Sequence, residues 1–418
     1  MDARNKIKLL ITCMLILPPL LFARQLDKNT SLSKSSTAEP TNSAGIHLEQ
    51  TSRNNSFDCP KPTDLIYSQM HVWLESLNID IKDKKSQKVN STAQSLHVFT
   101  EQGIAAPTAN VMAKLKATLS SETLPFLSDI FKASALPKKI TFIQTHKIKV
   151  KALFCENFQE KDNFVILVEP NFLATQVSLF DIFVHEYTHY YFHIHKFEAP
   201  LWYEEGTSLL VEYLYNNIAS TNVVNQHLVE SDVSLTQGFS NFRTASSAYG
   251  HAQLLFTYLY NKLGDAFIDE ILTRNNGNEK TLNDFIQKIA KELPDSLPWN
   301  TFSDAFVTLQ IAKRINRDDY AHTRSSVLRQ KYFIFNSKLH AKDYLDDRPL
   351  MYNNSLAPWS STAFSDINAV SLEIIKKYEC FVVVNPRYSK LTLIPCIEAE
   401  GDLLRPSSNH FYILIRKD

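Results

Sequence analysis

The spacing of apolar residues changes several times along the chain, and each change marks a different kind of element. Leu9–Phe22 is an apolar stretch behind Arg4, Lys6 and Lys8, closing on Ala23. A basic start, a short apolar run and a small residue at its end describe a secretory signal peptide over residues 1–23. The run is shorter than the about 20 residues of a membrane span, and Pro18-Pro19 would break a spanning helix. An uncleaved N-terminal membrane anchor is the alternative. Residues 24–58 are rich in Ser, Thr and Asn. They offer too little apolar surface to offset their ordering entropy and read as a disordered tether. Apolar spacing is then helical over 62–78 and 107–133, with Pro62 and Pro107 suited to first turns, so 59–138 is expected to be a helical N-terminal region.

From residue 139 the pattern switches to strands. Lys139–Gln144, Lys147–Phe154 and Asn163–Glu169 read as three consecutive short strands. Helical spacing resumes over 176–195, 204–216, 246–263, 265–274, 280–292 and 301–315, punctuated by Gly264, Asn275–Gly277 and Pro294. The last stretch returns to strands and finishes in His410–Arg416. The pattern predicts an α+β fold: a small sheet followed by a mainly helical subdomain over 139–320, then an accessory region over 321–418 that is β-rich at its end.

Composition narrows the function classes. Lys+Arg and Asp+Glu are both 44, so no global basic field points to nucleic acid. With 8 glycines and no glycine-rich phosphate loop, nucleotide binding is not expected. Four cysteines remain beyond the apolar start: Cys59, Cys155, Cys380 and Cys396. In an oxidising compartment they allow two disulfides in one of three pairings, or buried thiols. Cys380 and Cys396 are symmetric about Tyr388 between two strand-like runs, so a hairpin turning at Pro386–Lys390 would set them opposite each other.

The chemistry concentrates in Phe183–His189, which contains H-E-x-x-H. Residues four apart on a helix lie one above the other, about 6 Å along the axis. His185 and His189 so placed can both reach one tetrahedral zinc. Glu186 projects about 100° round the axis, beside the metal, where it can take a proton from water. A further donor is needed, and Pro200–Glu212 offers Glu204, Glu205 and Glu212.

These motifs resemble the gluzincin zinc metallopeptidases, the superfamily of thermolysin and aminopeptidase N. Trp202, Glu205 and Gly206 match the W-x-x-E-G context of the third ligand in the aminopeptidases. The resemblance implies a zincin-like fold over 139–320 and one Zn2+ per chain, held by His185, His189 and Glu205. It makes Glu186 the general base. Glu204 is then expected to be a solvated first-turn acid, and Glu212 either supports the site or is exposed. Tyr249, fifteen residues before Gly264 and followed by Phe267, matches the tyrosine that stabilises the oxyanion in aminopeptidases; His251 is its substitute. The chain departs from thermolysin by carrying Leu209 four residues after Glu205, and from aminopeptidases by lacking G-x-M-x-N. His195 stands at the metzincin ligand spacing, but the glycine that turn needs is replaced by Phe192.

The expectation is an exported, secreted or periplasmic zinc-dependent peptidase acting on peptide or protein substrates, with the sheet edge in 147–156 aligning an extended peptide. No nucleic-acid partner is expected, and no membrane contact beyond an uncleaved N-terminal anchor. The alternatives are a metal-dependent aminopeptidase and a non-catalytic, peptidase-like binding protein.

Overall fold

Part of the N-terminal region expected to be helical is a β-hairpin. β1 (His71–Lys82) pairs antiparallel with β2 (Val89–Thr100), so residues 71–78 are strand. Leu77, Ile79 and Ile81 alternate with polar residues, a period of two that the helical spacing of 62–78 obscured. Long-range pairing decides between the two. Ser95–Thr100 runs parallel to β3 (Lys139–Gln144), and Gln94, Leu96, Val98 and Thr100 turn inward. The molecule is seen here as a computed structural model. It describes residues 59–60, 71–82, 89–315 apart from short stretches such as 132–135, 217–222, 228–232 and 293–299, and then 360–364, 378–384, 392–398 and 410–416. The segments expected to be a signal peptide and a tether, the start of the 62–78 segment and the expected turn Pro386–Lys390 lie outside the described residues.

Helices do occupy 109–131. α1 (Ala109–Thr118) and α2 (Leu124–Phe131) flank a π-turn at Leu119–Thr123 and cross over from β2 to β3. Thr108 caps α1, accepting from the Val111 N–H at 3.3 Å, so Pro107 precedes the cap. The first sheet has the order β1-β2-β3-β5-β4, with β4 (Ala152–Phe154) at an edge, antiparallel to β5 (Asn163–Val168). β3 and β5 are parallel and wholly or nearly wholly buried, as strands covered on both faces must be.

After the short α3 (Pro170–Thr175) comes α4 (Leu179–Ile194), the helix that carries the motif. Phe183, Tyr187 and Tyr190 lie three and four residues apart and share one face. Phe183 packs on Phe142 and Phe164, and Tyr187 and Tyr190 on Phe164, with ring centroids 5.1–5.6 Å apart. That face is bound to the sheet, so His185, about 200° round from Phe183, points the other way.

α4 ends in a tight reversal. Lys196 takes φ 53, the Phe197 N–H reaches the Phe192 carbonyl at 2.9 Å and the Lys196 N–H reaches His193 at 3.1 Å. Phe192 and Phe197 close the turn with centroids 5.0 Å apart. This is the hydrogen-bond pattern of a Schellman cap, with lysine where glycine is usual. The chain then passes Pro200 into α5 (Leu201–Asn216), which packs back along α4. α6 (Phe242–Leu263), α7 (Asp265–Thr273), α8 (Glu279–Glu292) and α9 (Phe302–Ile315) complete the helical layer; α7 and α9 lie within segments read as helical from sequence, while α8 starts one residue and α6 four residues ahead of theirs.

The C-terminal strands β6 (Ser360–Phe364), β7 (Glu379–Val384), β8 (Thr392–Pro395) and β9 (His410–Arg416) form a second sheet, ordered β6-β9-β7-β8. Ile413 and Ile415 of β9 are buried in the same core as α4 and α9. Phe381 faces Pro395 across β7 and β8, the register that brings Cys380 to Cys396, and these two are joined with Cα atoms 5.2 Å apart. Cys59 and Cys155 form the second bridge. Among the described residues no helix is long and apolar enough to cross a membrane.

Candidate metal centre

α4 and α5 run face to face and bring together His185, His189 and Glu205, whose ligand atoms all lie within 4.8 Å of one another. His185 Nε2 and His189 Nε2 are 3.3 Å apart, and Glu205 Oε2 lies 3.3 Å from the first and 3.7 Å from the second. Three donors on a tetrahedron of radius about 2.0–2.1 Å are separated by about 3.3–3.4 Å. The residues present therefore fit one zinc-sized ion. All three are buried, with 3%, 1% and 0% exposure, so the cluster is removed from competing water.

Each donor is held from behind. His189 Nδ1 lies 2.9 Å from Glu204 Oε1, and His185 Nδ1 lies 3.3 Å from Glu212 Oε2. A carboxylate on Nδ1 fixes the tautomer that presents Nε2 to a metal and raises its basicity. Glu204 is thus not the solvated acid its first-turn position implied. The α4–α5 crossing turns it onto His189, and its side chain is only 14% exposed. Glu212, two turns after Glu205, takes the supporting place. Glu205 divides its oxygens, Oε2 toward the imidazoles and Oε1 accepting from the Tyr249 hydroxyl at 3.1 Å.

Tyr249 reaches this position because α6 crosses α5 closely. A Cβ on Gly206 would collide with the Phe256 ring, so the glycine after Glu205 is what lets the two helices approach. His251, the substitute for Tyr249, faces elsewhere. It stacks on His227 at 4.1 Å and lies 3.1 Å from the Gln310 amide nitrogen. His195 caps α4 with its ring 4.3 Å from Tyr191 and stands outside the donor cluster.

Glu186 lies between the cluster and the sheet edge. The Phe154 N–H of β4 donates to its Oε2 at 2.9 Å. Burial pushes the Glu186 carboxyl above the ordinary range, while His185, His189 and the Phe154 N–H pull the other way. Burial alone would depress the two imidazoles, but Glu205 and Glu212 around His185, and Glu205 and Glu204 around His189, raise both. Sequence reasoning missed two parts of this arrangement, the Phe154 N–H and the Glu204 contact. The second carried a signal, since a metal-binding histidine needs an acceptor on its other nitrogen and Glu204 adjoins the third donor.

No protein-family model matches the chain, and no curated protein does. Among solved structures, an M1 zinc metallopeptidase variant from Deinococcus radiodurans, bound to a Tyr-Ser-Ala substrate, is similar over 56% of this chain. The identity is 14% and the TM-score 0.35. An aminopeptidase N family protein from Idiomarina loihiensis is similar over 75% of this chain, at 13% identity and a TM-score of 0.25. The chain spans little more than half the length of either, 51% and 56%. The chemical reading therefore rests on the donor geometry.

Proposed function

We propose that this chain is a zinc-dependent peptidase that hydrolyses peptide bonds, with His185, His189 and Glu205 as the metal-holding residues. The observation that carries the reading is the convergence of both Nε2 atoms and Glu205 Oε2, with Glu186 beside them. Zinc bound there acidifies water and polarises a carbonyl. Glu186 is the general base: its buried carboxylate, oriented by the Phe154 N–H, takes the proton from the attacking water and returns it to the leaving amine. Glu204 and Glu212 hold the imidazoles in the metal-binding tautomer. Tyr249, bonded to Glu205, is the donor nearest the cluster for the oxyanion. β4, at the sheet edge and next to Glu186, suits an extended peptide laid alongside it. Retention of a buried base with no ligand role favours an enzyme over a binding module. The absence of G-x-M-x-N favours cleavage within peptides over aminopeptidase action. Two disulfides and the N-terminal apolar run support export.

Elemental analysis of protein purified without chelator, with a peptide-library cleavage assay, tests the reading. One zinc per chain and chelator-sensitive cleavage are expected. Glu186→Gln should keep the metal and lose at least about 10²-fold in rate, the lower range for a general base. Metal-free protein, or near-normal turnover by that variant, would sink the assignment.

A further inference from the structure

The backbone donor that orients Glu186 belongs to a short strand at the sheet edge. β4 pairs with β5 over three residues, Ala152–Phe154, with one further bond from the Glu169 N–H to the Lys151 carbonyl at 2.8 Å, and among the described residues it has no second strand neighbour. At Phe154 the chain leaves the ladder. The Gln159 side chain takes its place opposite Val165, accepting from the Val165 N–H and donating to its carbonyl, both at 2.9 Å. Cys155 comes next. Its carbonyl accepts from the Phe158 N–H at 3.0 Å and from Gln159 Nε2 at 2.8 Å, and its sulfur is bonded to Cys59, with the Cα atoms 5.9 Å apart. Asn157 Nδ2 adds one hydrogen bond to the Pro60 carbonyl at 3.3 Å. Cys155 is buried in a small separate core with Ile143, Leu153, Val165 and Leu167. The disulfide is thus one residue from Phe154, whose N–H holds the base and whose ring lies 6.3 Å from that of His189.

We propose that the Cys59–Cys155 disulfide is a positioning element for the active centre: it clamps the exit of β4 so that the Phe154 N–H holds Glu186, and reducing it silences the enzyme while the metal stays bound. The inference rests on the peptidase reading for its activity arm, and on geometry alone for its structural arm. Ala152, Leu153 and Phe154 are buried at 0–3% exposure, so packing holds β4 against its neighbours, while its short ladder leaves the exit after Phe154 to be fixed by the chain beyond it. A covalent tie at its exit removes the slack that three ladder residues leave. A shift of about 1 Å in a catalytic group can cost about 10²-fold in rate. The clamp makes activity depend on an oxidising compartment, because both sulfurs must have been oxidised before the base is seated.

The test uses the full chain with zinc bound and a trialkylphosphine, since dithiols compete for zinc. The S–S bond breaks, the phosphine takes the oxygen of one water to become its oxide, and the two hydrogens of that water leave the sulfurs as two thiols. A Cys380→Ser/Cys396→Ser protein confines the reaction to the bridge in question, and a Cys59→Ser/Cys155→Ser protein reproduces the reduced state without reagent. On reduction, kcat should fall about tenfold or more with KM changed by less than about threefold. Zinc content should be unchanged. Amide hydrogen exchange should quicken across 152–158 while α4 and α5 stay protected. Reoxidation should restore kcat. Full reduction with kcat unchanged overturns the proposal, as does a loss that comes only with zinc release and general loss of protection, the mark of a merely structural bridge. If the oxidised protein cleaves no peptide, the peptidase reading fails by itself. Unchanged exchange across 152–158 would then still overturn the clamp.

Discussion

Glu204 and Glu205 are neighbours in sequence and do different work. Glu205 presents Oε2 to both imidazoles, while Glu204 reaches round to His189 Nδ1 at 2.9 Å. Loss of such a supporting carboxylate typically costs about 10–100-fold in metal affinity or activity. Glu204→Ala and Glu212→Ala should each weaken zinc by roughly that factor, as read by competition with a chromophoric chelator. Glu205→Ala should lose more, because it removes a donor outright. Equal affinities for all three variants would show that the carboxylates do not support the histidines. The same contacts set a pH dependence. His185 and His189 have folded pKa values raised above the ordinary imidazole value, burial opposing and the glutamates prevailing. A raised folded pKa contributes stability that is complete below the unfolded value, about 6.5, and is lost as pH rises through the folded value. The metal-free protein should therefore lose stability above about pH 6.5, whereas zinc, which needs neutral imidazoles, should bind more tightly. The gap in Tm between zinc-loaded and chelator-treated protein should widen with pH. A constant gap would exclude protonated histidines in the metal-free cluster. The His185–His189 pairing was legible because a four-residue step on a helix sets both on one face without knowledge of the fold, and Glu186 because the next residue must lie about 100° round from His185. The partner of Glu204 was not, because a first-turn carboxylate faces water or an imidazole according to how the next helix crosses.

At the scale of elements, the helices were legible and the first hairpin was not. α4 to α9 each carry a repeating apolar face, and Gly264, Asn275–Gly277 and Pro294 mark the ends of α6, α7 and α8, so local information goes far. β2 is completed by β3 some forty residues on, and the period of two at Leu77, Ile79 and Ile81 was obscured by the helical spacing read over 62–78. The reversal between α4 and α5 shows the cost of making the site compact. Lys196 adopts φ 53 so that the chain can turn back and deliver Glu205 to the histidines. A side chain in left-handed geometry costs about 1–2 kcal/mol, which glycine does not pay. Lys196 is exposed, so its replacement loses little packing. Lys196→Gly should raise the unfolding free energy by about 1 kcal/mol without changing zinc content. Chemical denaturation decides it, and a destabilised variant would mean that the lysine side chain carries an interaction worth more than the strain.

At the scale of the molecule, the C-terminal region reads from sequence as an accessory, yet its last strand is built into the core that supports the His185, His189 and Glu205 cluster. Ile413 and Ile415 of β9 are 0% and 1% exposed within that core, and Ser361 of β6 donates to Gln310 Oε1 of α9 at 2.8 Å. The Gln310 amide nitrogen lies 3.1 Å from His251 on α6, the helix that brings Tyr249 to Glu205. Buried polar contacts thus run from the second sheet through α9 to the helix above the site. A chain ending at residue 320 would expose the α9 face and leave Gln310 without its Ser361 donor. Losing a buried isoleucine contact costs roughly 2–5 kcal/mol, and an unsatisfied buried amide about 1–3 kcal/mol. Two isoleucines and one amide then come to roughly 5–13 kcal/mol, comparable to the about 5–15 kcal/mol by which a whole domain is stable. The truncated chain should therefore show no cooperative thermal transition, or aggregate on expression, and should bind no zinc stoichiometrically. Calorimetry and metal analysis of the two lengths test this. A soluble 1–320 chain with one zinc and a sharp transition would separate residues 321–418 from the fold that carries the donor cluster and return them to the role of an independent module.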